Sequence, residues 1–257
     1  MKRILTALVL IPACVGLVLF APTWAFRTGM ALVGLLAFRE YDQIAEANGI
    51  RRAGYAGMAA GLALMFAPAP QIVVVMVAFA GMLLAMRASD LAGAMSAGAA
   101  FTLGVVYIFG SFRCAIELRD LSPHYLMFAL LLSWVGDTAA MYVGRAFGRR
   151  ALAPRVSPSK TWAGAMGSLT GGVLAGWVYA HYLIPVPAWM AVAVAALGNV
   201  AGQLGDLCES AIKRGAGVKD SGSSLPGHGG WLDRIDSSLF TIPVVYALVL
   251  CFERYLR

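Results

Sequence analysis

Charged residues are scarce in this chain of 257 residues. Asp, Glu, Lys and Arg make up 13% of it, whereas a soluble domain carries about 25%. Hydrophobic residues make up 60%, and the mean hydropathy is +0.75. They occur in continuous blocks, which excludes an ordinary soluble domain. We therefore predict an all-α integral membrane protein, because helices satisfy their own backbone hydrogen bonds within lipid.

Cysteine is also rare, with only Cys14, Cys114, Cys208 and Cys251 in the sequence. No two of them form a CxxC pair, and their spacing fits neither a zinc site nor a disulfide framework. The sequence contains no Walker A motif, which excludes a P-loop enzyme, and neither an HExxH nor a GxSxG motif.

A single basic patch is missing as well, although the net charge is +7. The basic residues lie between the apolar blocks, which argues against nucleic acid as a partner. They indicate membrane topology and a surface for anionic lipids or phosphates.

Nine apolar blocks predict about nine transmembrane helices in one polytopic membrane domain over residues 1–257. The first begins after Met1-Lys2-Arg3 and resembles a signal peptide, but we expect a retained helix because no clear cleavage site follows. The second and third blocks are short for a span of ~20 residues. The blocks are 4–21, 24–38, 53–68, 70–87, 92–112, 123–143, 161–182, 187–207 and 238–253.

The basic residues predict that the N-terminus faces the cytoplasm. In that orientation 15 of the 20 Lys and Arg residues lie on the cytoplasmic side. The two longest polar stretches, 144–160 and 208–237, fall on that side too. We therefore predict cytoplasmic active-site loops, with the catalytic half at about 123–257.

A first polar cluster begins inside block six, where Asp137 interrupts the apolar run. A carboxylate within a span is costly and indicates function. The loop that follows contains Ser157-Pro158-Ser159-Lys160-Thr161, in which Pro158 fixes a turn and Ser159 is able to cap the next helix. Lys160, Thr161 and the N–H groups of a helix start suit an anion, although an ordinary positive-inside loop explains them equally well.

A second, denser cluster spans the end of block eight and the following loop. Asp206, Glu209 and Lys213 share one helical face, which Asn199 and Gln203 continue inward. A polar stripe of this kind should face a cavity or protein.

The loop itself is rich in glycine, which permits close backbone approach to phosphates. It closes with Asp233 and Asp236, spaced i, i+3 if a helix begins there. Several carboxylates beside Lys, Arg and such a loop are the groups that magnesium-nucleotide chemistry requires.

The run from Ser210 to Asp236, SAIKRGAGVKDSGSSLPGHGGWLDRID, resembles the signature of the phosphatidate cytidylyltransferases, or CDP-diacylglycerol synthases. Gly205-Asp206-Leu207-x-Glu209-Ser210 and the Ser157–Thr161 stretch are also similar to family patterns. So are Asp137 and the Arg-x-Phe-Gly at 145–148.

The resemblance implies transfer of CMP from CTP to phosphatidate, giving CDP-diacylglycerol and pyrophosphate. It implies Mg²⁺ as cofactor, leaves a second cation open, and implies a fold of about nine helices, often as a dimer. Asp206 and Asp233 are the expected metal ligands. The expected catalytic residues are Asp206, Asp233, Lys213, Asp220, Asp236 and His228. The expected substrate-binding residues are Asp137, Ser157, Lys160, Thr161, Arg214, Lys219 and Arg234.

Two positions depart from the family pattern. Family members usually have Glu where this chain has Ala163, and a smaller aliphatic residue where it has Trp231. These departures bear on the level of activity and on the lipid substrate.

Three alternatives to phosphatidate cytidylyltransferase stay open at this stage. The chain could act on another lipid phosphate, such as an archaeal-type ether lipid, or could be a polyprenol kinase that uses CTP. It could also be a cation-coupled transporter whose Asp137 and Asp206 bind an ion. The Ala- and Gly-rich composition suggests a bacterial plasma (inner) membrane.

Overall fold

The computed structural model describes residues 2–87, 91–224 and 229–256, with side chains for residues 9–252 within those ranges. Most of these residues are helical. The helices are α1 Lys2–Leu19, α2 Thr23–Ala47, α3 Gly54–Phe66, α4 Pro70–Ala85, α5 Ala94–Gly104, α6 Ser111–Leu121, α7 Pro123–Phe147, α8 Trp162–Leu183, α9 Ala188–Gly215, α10 Leu232–Ile235 and α11 Ser238–Leu256. A 3-10 turn, Leu91–Gly93, precedes α5, and a π-helical turn, Val105–Gly110, joins α5 to α6.

Each of the nine predicted apolar blocks falls on a helical stretch. Four stretches in the described part of the chain are long and apolar enough to cross a membrane: Leu91–Leu121, Pro123–Phe147, Ala188–Gly215 and Leu232–Phe252. The third block is short, as predicted, because α3 has 13 residues. The second is longer than predicted, since α2 continues for 25 residues to Ala47 and includes the buried Glu40 and Asp42.

One small β-hairpin interrupts the helices, so the prediction of an all-α chain was incomplete. Strand β1, Ala151–Ala153, pairs antiparallel with β2, Ser157–Thr161. The prediction of Ser159 as a helix cap was wrong, because Ser159 lies in β2. Thr161 is the N-cap of α8 instead, and its hydroxyl accepts a hydrogen bond from the Gly164 N–H at 3.1 Å.

The described residues form two compact units. The first draws on Met1–Ala13, Ala21–Arg113 and Ile212–Arg234, and the second on Cys14–Phe20, Cys114–Ala211 and Ile235–Arg257. The single membrane domain over residues 1–257 stays a prediction.

Aromatic rings fill the core of the first unit. Phe38 and Phe109 are fully buried, with ring centroids 5.5 Å apart. Gly57 and Gly61 lie on α3 where a Cβ atom would overlap these rings. The glycines therefore let the α3 backbone approach the aromatic core closely.

Small residues bring α7 and α8 together in the second unit. A Cβ atom at Gly167 would overlap Val143, and one at Gly171 would overlap Ala139. Close packing of this kind replaces the hydrophobic drive that is missing in lipid. The helices α7 and α8 are therefore closely packed against each other.

Candidate active site

A cavity of about 410 Å³ lies in the second unit, where α7, the hairpin, α8 and α9 meet. Four of the predicted site residues line it, one of them on each of α7 and α9 and two at the end of β2. They are Asp137, Lys160, Thr161 and Asp206. The structure thus brings Asp206, from the second polar cluster, into one cavity with residues of the first cluster that lie more than forty positions earlier in the sequence.

Arg145 also lines this cavity. In the sequence Arg145 was noted only as the first residue of the Arg-x-Phe-Gly motif at 145–148, and no role at the site was predicted for it. Arg145 lies two turns after Asp137 on α7 and is exposed. Two cations, Lys160 and Arg145, and the carboxylates of Asp137 and Asp206 therefore line one cavity.

Lys160 and Asp206 form an ion pair in the cavity wall. Both side chains are partly buried, with 27% and 28% of their surface exposed. The Ser210 hydroxyl donates a longer hydrogen bond, 3.5 Å, to the second oxygen of Asp206. The end of β2 and the middle of α9 are thus joined by opposite charges.

Further carboxylates lie near this pair. Asp236 interacts electrostatically with three carboxylates, those of Asp206, Glu209 and Asp137. The hydroxyl of Ser237 donates to Asp137 Oδ2 at 3.4 Å. Such a concentration of negative charge favours the binding of a cation.

Asp236 does not share a helix with Asp233, so the condition for their i, i+3 spacing on one helix is not met. Asp233 lies in α10, which ends at Ile235, and α11 begins at Ser238. Asp236 sits in the link, where its Oδ1 accepts the N–H of Ser237 at 2.7 Å. A turn of this kind interrupts the helical register.

The polar stripe of α9 faces protein, as predicted. Asn199 is buried and donates to the carbonyl of Leu132 and to the hydroxyl of Ser168, each at 3.2 Å. Gln203 donates to Asn199 Oδ1 at 2.8 Å and to the carbonyl of Ala165 at 3.2 Å. These contacts fix α9 against α7 and α8 one to two turns before Asp206.

Asp233 is the centre of a second group of contacts, in the first unit. Its Oδ1 accepts a hydrogen bond from Lys213 Nζ at 2.5 Å. Its Oδ2 accepts the backbone N–H groups of Ser221 and Gly230 at 2.9 and 2.8 Å. Asp233 and Lys213 are each about 90% or more buried at the side chain, so this pair joins the end of α9 to α10.

Glu40, which sequence reasoning missed, contacts the same loop from α2. Its side chain is buried, with 3% of the residue exposed. The hydroxyls of Ser221 and Ser224 and the N–H of Leu232 all donate to its carboxylate, each at 2.9 Å. A carboxylate near the end of an apolar block was the only signal in the sequence.

Glycine is required where the loop approaches these carboxylates. A Cβ atom at Gly222 would lie 2.8 Å from Glu40 Oε1, and one at Gly230 would overlap both Glu40 and Ser221. Gly229 has a φ of +77° and faces Asp233. The prediction that the glycines allow close approach is confirmed, with carboxylates as the neighbours.

The remaining predicted residues of the loop are more exposed. Arg214 donates to the carbonyl of Val218 at 3.2 Å, which closes the turn after α9. Lys219, Asp220 and Arg234 are exposed. Ser157 pairs with Ala153 in the hairpin and does not line the cavity. The predicted residue His228 lies outside the described residues.

The carboxylates of the cavity suit Mg²⁺. No group of three or more His, Cys, Asp or Glu side chains able to hold a metal ion occurs in the described ranges. Mg²⁺ is usually held by one or two carboxylates together with substrate phosphates and water, so three protein ligands are not needed. Asp137 and Asp206, on one cavity, supply that donor set.

The sequence model of the Cytidylyltransferase family matches residues 1–252 of this chain. The phosphatidate cytidylyltransferase of Bacillus subtilis (strain 168) is 40% identical over 156 residues, which cover 59% of this chain and 58% of that protein. Those of Staphylococcus saprophyticus and Staphylococcus aureus (strain COL) are 40% and 39% identical over 154 residues, which cover 59% of each chain compared.

The matched region therefore covers less than two thirds of the length of each of these relatives. The match to the family model extends over nearly the whole chain. This chain therefore belongs to the cytidylyltransferase family.

Proposed function

We propose that this chain transfers CMP from CTP to phosphatidate and releases CDP-diacylglycerol and pyrophosphate. The observation that carries the proposal is the cavity on which Asp137, Arg145, Lys160 and Asp206 meet. Its volume of about 410 Å³ falls within the range of small-molecule sites. The family membership and the names of the relatives support the same reaction.

The proposed chemical step is an in-line displacement at phosphorus. A phosphate oxygen of phosphatidate attacks the α-phosphorus of CTP, and the bond from that phosphorus to the oxygen that bridges the α- and β-phosphates breaks. The attacking oxygen is already ionised near neutral pH, so no general base is needed. The electron pair of the broken bond leaves with pyrophosphate.

Lys160 and Arg145 are the cations that we assign to phosphate oxygens. Charge spreads over these oxygens in the transition state, and a fixed cation stabilises it most in a site shielded from water. Because Lys160 is paired with Asp206, it is held close to the cavity before substrate enters. Arg145 lines the same cavity and is exposed, and we assign it to the remaining phosphates.

Asp206 and Asp137 are the residues that we assign to Mg²⁺. The ion, when bound, would neutralise charge on the phosphates and on the departing pyrophosphate. The sequence-based prediction of Asp233 as a second ligand stays a prediction. Its two oxygens accept three hydrogen bonds within the first unit, a pattern that also suits a structural role.

The setting that we propose is a bacterial inner membrane, crossed nine times, with the cavity facing the cytoplasm. The charge distribution and the supply of CTP on that side support the orientation. The resemblance to the family supports a homodimer.

The test uses the purified full chain in detergent with CTP, Mg²⁺ and one lipid acceptor at a time. The acceptors are phosphatidate, an ether-linked lipid phosphate and a polyprenol. We expect CDP-lipid chiefly from phosphatidate, and none from Asp206→Asn. Glu46→Gln is the matched control, because Glu46 is exposed and paired with Arg52.

The ether-linked phosphate and the polyprenol each separate one alternative. Formation of polyprenyl phosphate and CDP would favour a polyprenol kinase. Faster turnover of the ether-linked phosphate than of phosphatidate would show that the substrate is another lipid phosphate. Cation flux in vesicles without any CDP-lipid would contradict the enzyme altogether and favour a transporter. Near-normal turnover by Asp206→Asn would remove Asp206 from the proposed site.

A further inference from the structure

Glu40 occupies an unusual place for a carboxylate in a helix that begins among apolar residues. It lies on α2, buried, about 180 positions before the loop that it contacts. Burying a charge is costly unless donors surround it. Its two oxygens accept three donors, all of which belong to the segment 221–232.

Ser221 links Glu40 to Asp233. The Ser221 hydroxyl donates to Glu40 Oε2 at 2.9 Å and accepts the N–H of Asp233 at 3.3 Å. The backbone N–H of Ser221 donates to Asp233 Oδ2 at 2.9 Å. The position of Asp233 therefore depends on Ser221, which Glu40 holds.

The chain of contacts continues to Lys213. Asp233 Oδ1 accepts a hydrogen bond from the ammonium group of Lys213, so four residues are connected in the order Glu40, Ser221, Asp233, Lys213, with the step from Ser221 to Asp233 made through backbone N–H groups. Hydrogen bonds to charged groups are stronger and more directional than neutral ones. A substitution of Glu40 should therefore shift the position of Lys213, because each residue in the series is held by the one before it.

We propose that Glu40 is a positioning residue, which holds Ser221, Ser224 and Leu232 against α2 and thereby fixes Asp233 and its pair with Lys213. The inference rests on the proposed function as far as catalysis is concerned. The position of these residues does not, because it follows from contacts within the first unit.

The contacts also predict that Gln is a poor substitute at position 40. A carboxylate offers two acceptor oxygens to three donors, whereas an amide offers one oxygen and turns a donor toward the other partners. Glu40→Gln removes the charge with almost no change in volume. Glu40→Asp keeps the charge and shortens the side chain by one methylene.

The decisive experiment is limited trypsin digestion of the purified full chain in detergent, with cleavage after Lys219 followed by mass spectrometry. Lys219 is exposed and lies in the loop that Glu40 holds. We expect Glu40→Gln to speed this cleavage about tenfold or more, since each hydrogen bond to a charged group shifts an equilibrium by about that factor. Glu40→Asp should fall between wild type and Glu40→Gln.

Glu46→Gln is the control, since Glu46 lies on the same helix and pairs with Arg52 in the exposed region after it. It should leave cleavage after Lys219 unchanged. In the same preparations, Glu40→Gln should lower kcat by about 100-fold, the loss expected of misplaced groups, and should change KM for CTP less. This split separates positioning from loss of nucleotide binding.

Cleavage after Lys219 at the wild-type rate in Glu40→Gln would overturn the inference. So would equal acceleration at all tryptic sites, which would show a general loss of structure. If Glu40→Gln yields no folded protein, Ser224→Ala takes its place, because it removes one donor of three; it should speed cleavage after Lys219 selectively, and a wild-type rate would overturn the inference. Absence of CDP-lipid from wild type would contradict the proposed function and leave the digestion result to decide on Glu40.

Discussion

The ammonium group of Lys160 contacts the carboxylate of Asp206 in the wall of the cavity. The two residues lie 46 positions apart, at the end of β2 and within α9. Each neutralises the other when the cavity holds no substrate. Nucleotide and cation together would separate the pair, because phosphate attracts Lys160 and the cation attracts Asp206.

Replacing Lys160 tests this role directly. We expect Lys160→Gln to lower kcat/KM for CTP by roughly 100-fold, the loss expected when one stabilising group is removed from a charged transition state. Lys160→Arg should retain more activity because it keeps the charge. Arg52→Gln, at an exposed pair, is the control and should behave as wild type in the same steady-state assay. Equal rates for Lys160→Gln and Arg52→Gln would remove Lys160 from the site.

Divalent cations should be required for turnover. Chelation by EDTA should abolish CDP-lipid formation, and added Mg²⁺ should restore it, because phosphate oxygens and carboxylates both need the ion between them. Asp137→Asn should raise the Mg²⁺ concentration that gives half-maximal rate by about tenfold or more, through loss of one charge from the donor set. Full activity after exhaustive chelation would contradict the assignment.

Gly230 should not tolerate a side chain. A Cβ atom there would overlap the carboxylate of Glu40 and the hydroxyl of Ser221. We expect Gly230→Ala to lower the free energy of unfolding by about 1–3 kcal/mol, the cost of overpacking. Thermal denaturation in detergent measures the change. Gly93→Ala is the matched control, since a Cβ atom at Gly93 meets nothing within 4 Å; if both variants unfold alike, the close approach of the loop to Glu40 is wrong.

Thr161 should contribute to stability as a cap. Its hydroxyl accepts the Gly164 N–H at 3.1 Å. Thr161→Val keeps the shape and removes this acceptor, so we expect a loss of about 1 kcal/mol in the free energy of unfolding. Thr161→Ser should lose much less. A denaturation experiment that ranks Ser below Val would contradict the capping role.

The helical layout could be predicted from the sequence because hydrophobic blocks are a local signal. All nine blocks fall on helices, and Asp137, Lys160 and Asp206 were selected because charged residues beside apolar runs are conspicuous. The cavity joins them. Local sequence patterns are enough to indicate where the helices lie and which polar side chains interrupt or follow them.

The hairpin and Glu40 could not be predicted in the same way. Strands of three and five residues, β1 and β2, are too short to show an alternating pattern. The partners of Glu40 lie some 180 positions away, and no spacing within α2 points to them. Contacts of that range are determined by tertiary packing, which periodicity does not contain.

The link between α10 and α11 shows the same limit. The spacing of Asp233 and Asp236 suits one helix, yet the helix ends at Ile235. Asp233 is held by Lys213 and by backbone N–H groups of the loop instead. The contacts of Asp233 are therefore made by tertiary packing, and its spacing from Asp236 along the chain does not predict them.

The position of the transferred phosphorus tests the central claim most directly. Purified protein should be given phosphatidate, Mg²⁺ and CTP carrying ³²P at either the α or the γ position. Transfer of CMP predicts that the α label enters the lipid and the γ label is recovered in pyrophosphate, with both signals lost in Asp206→Asn. Entry of the γ label into lipid, or no label in lipid from either CTP, would contradict the account.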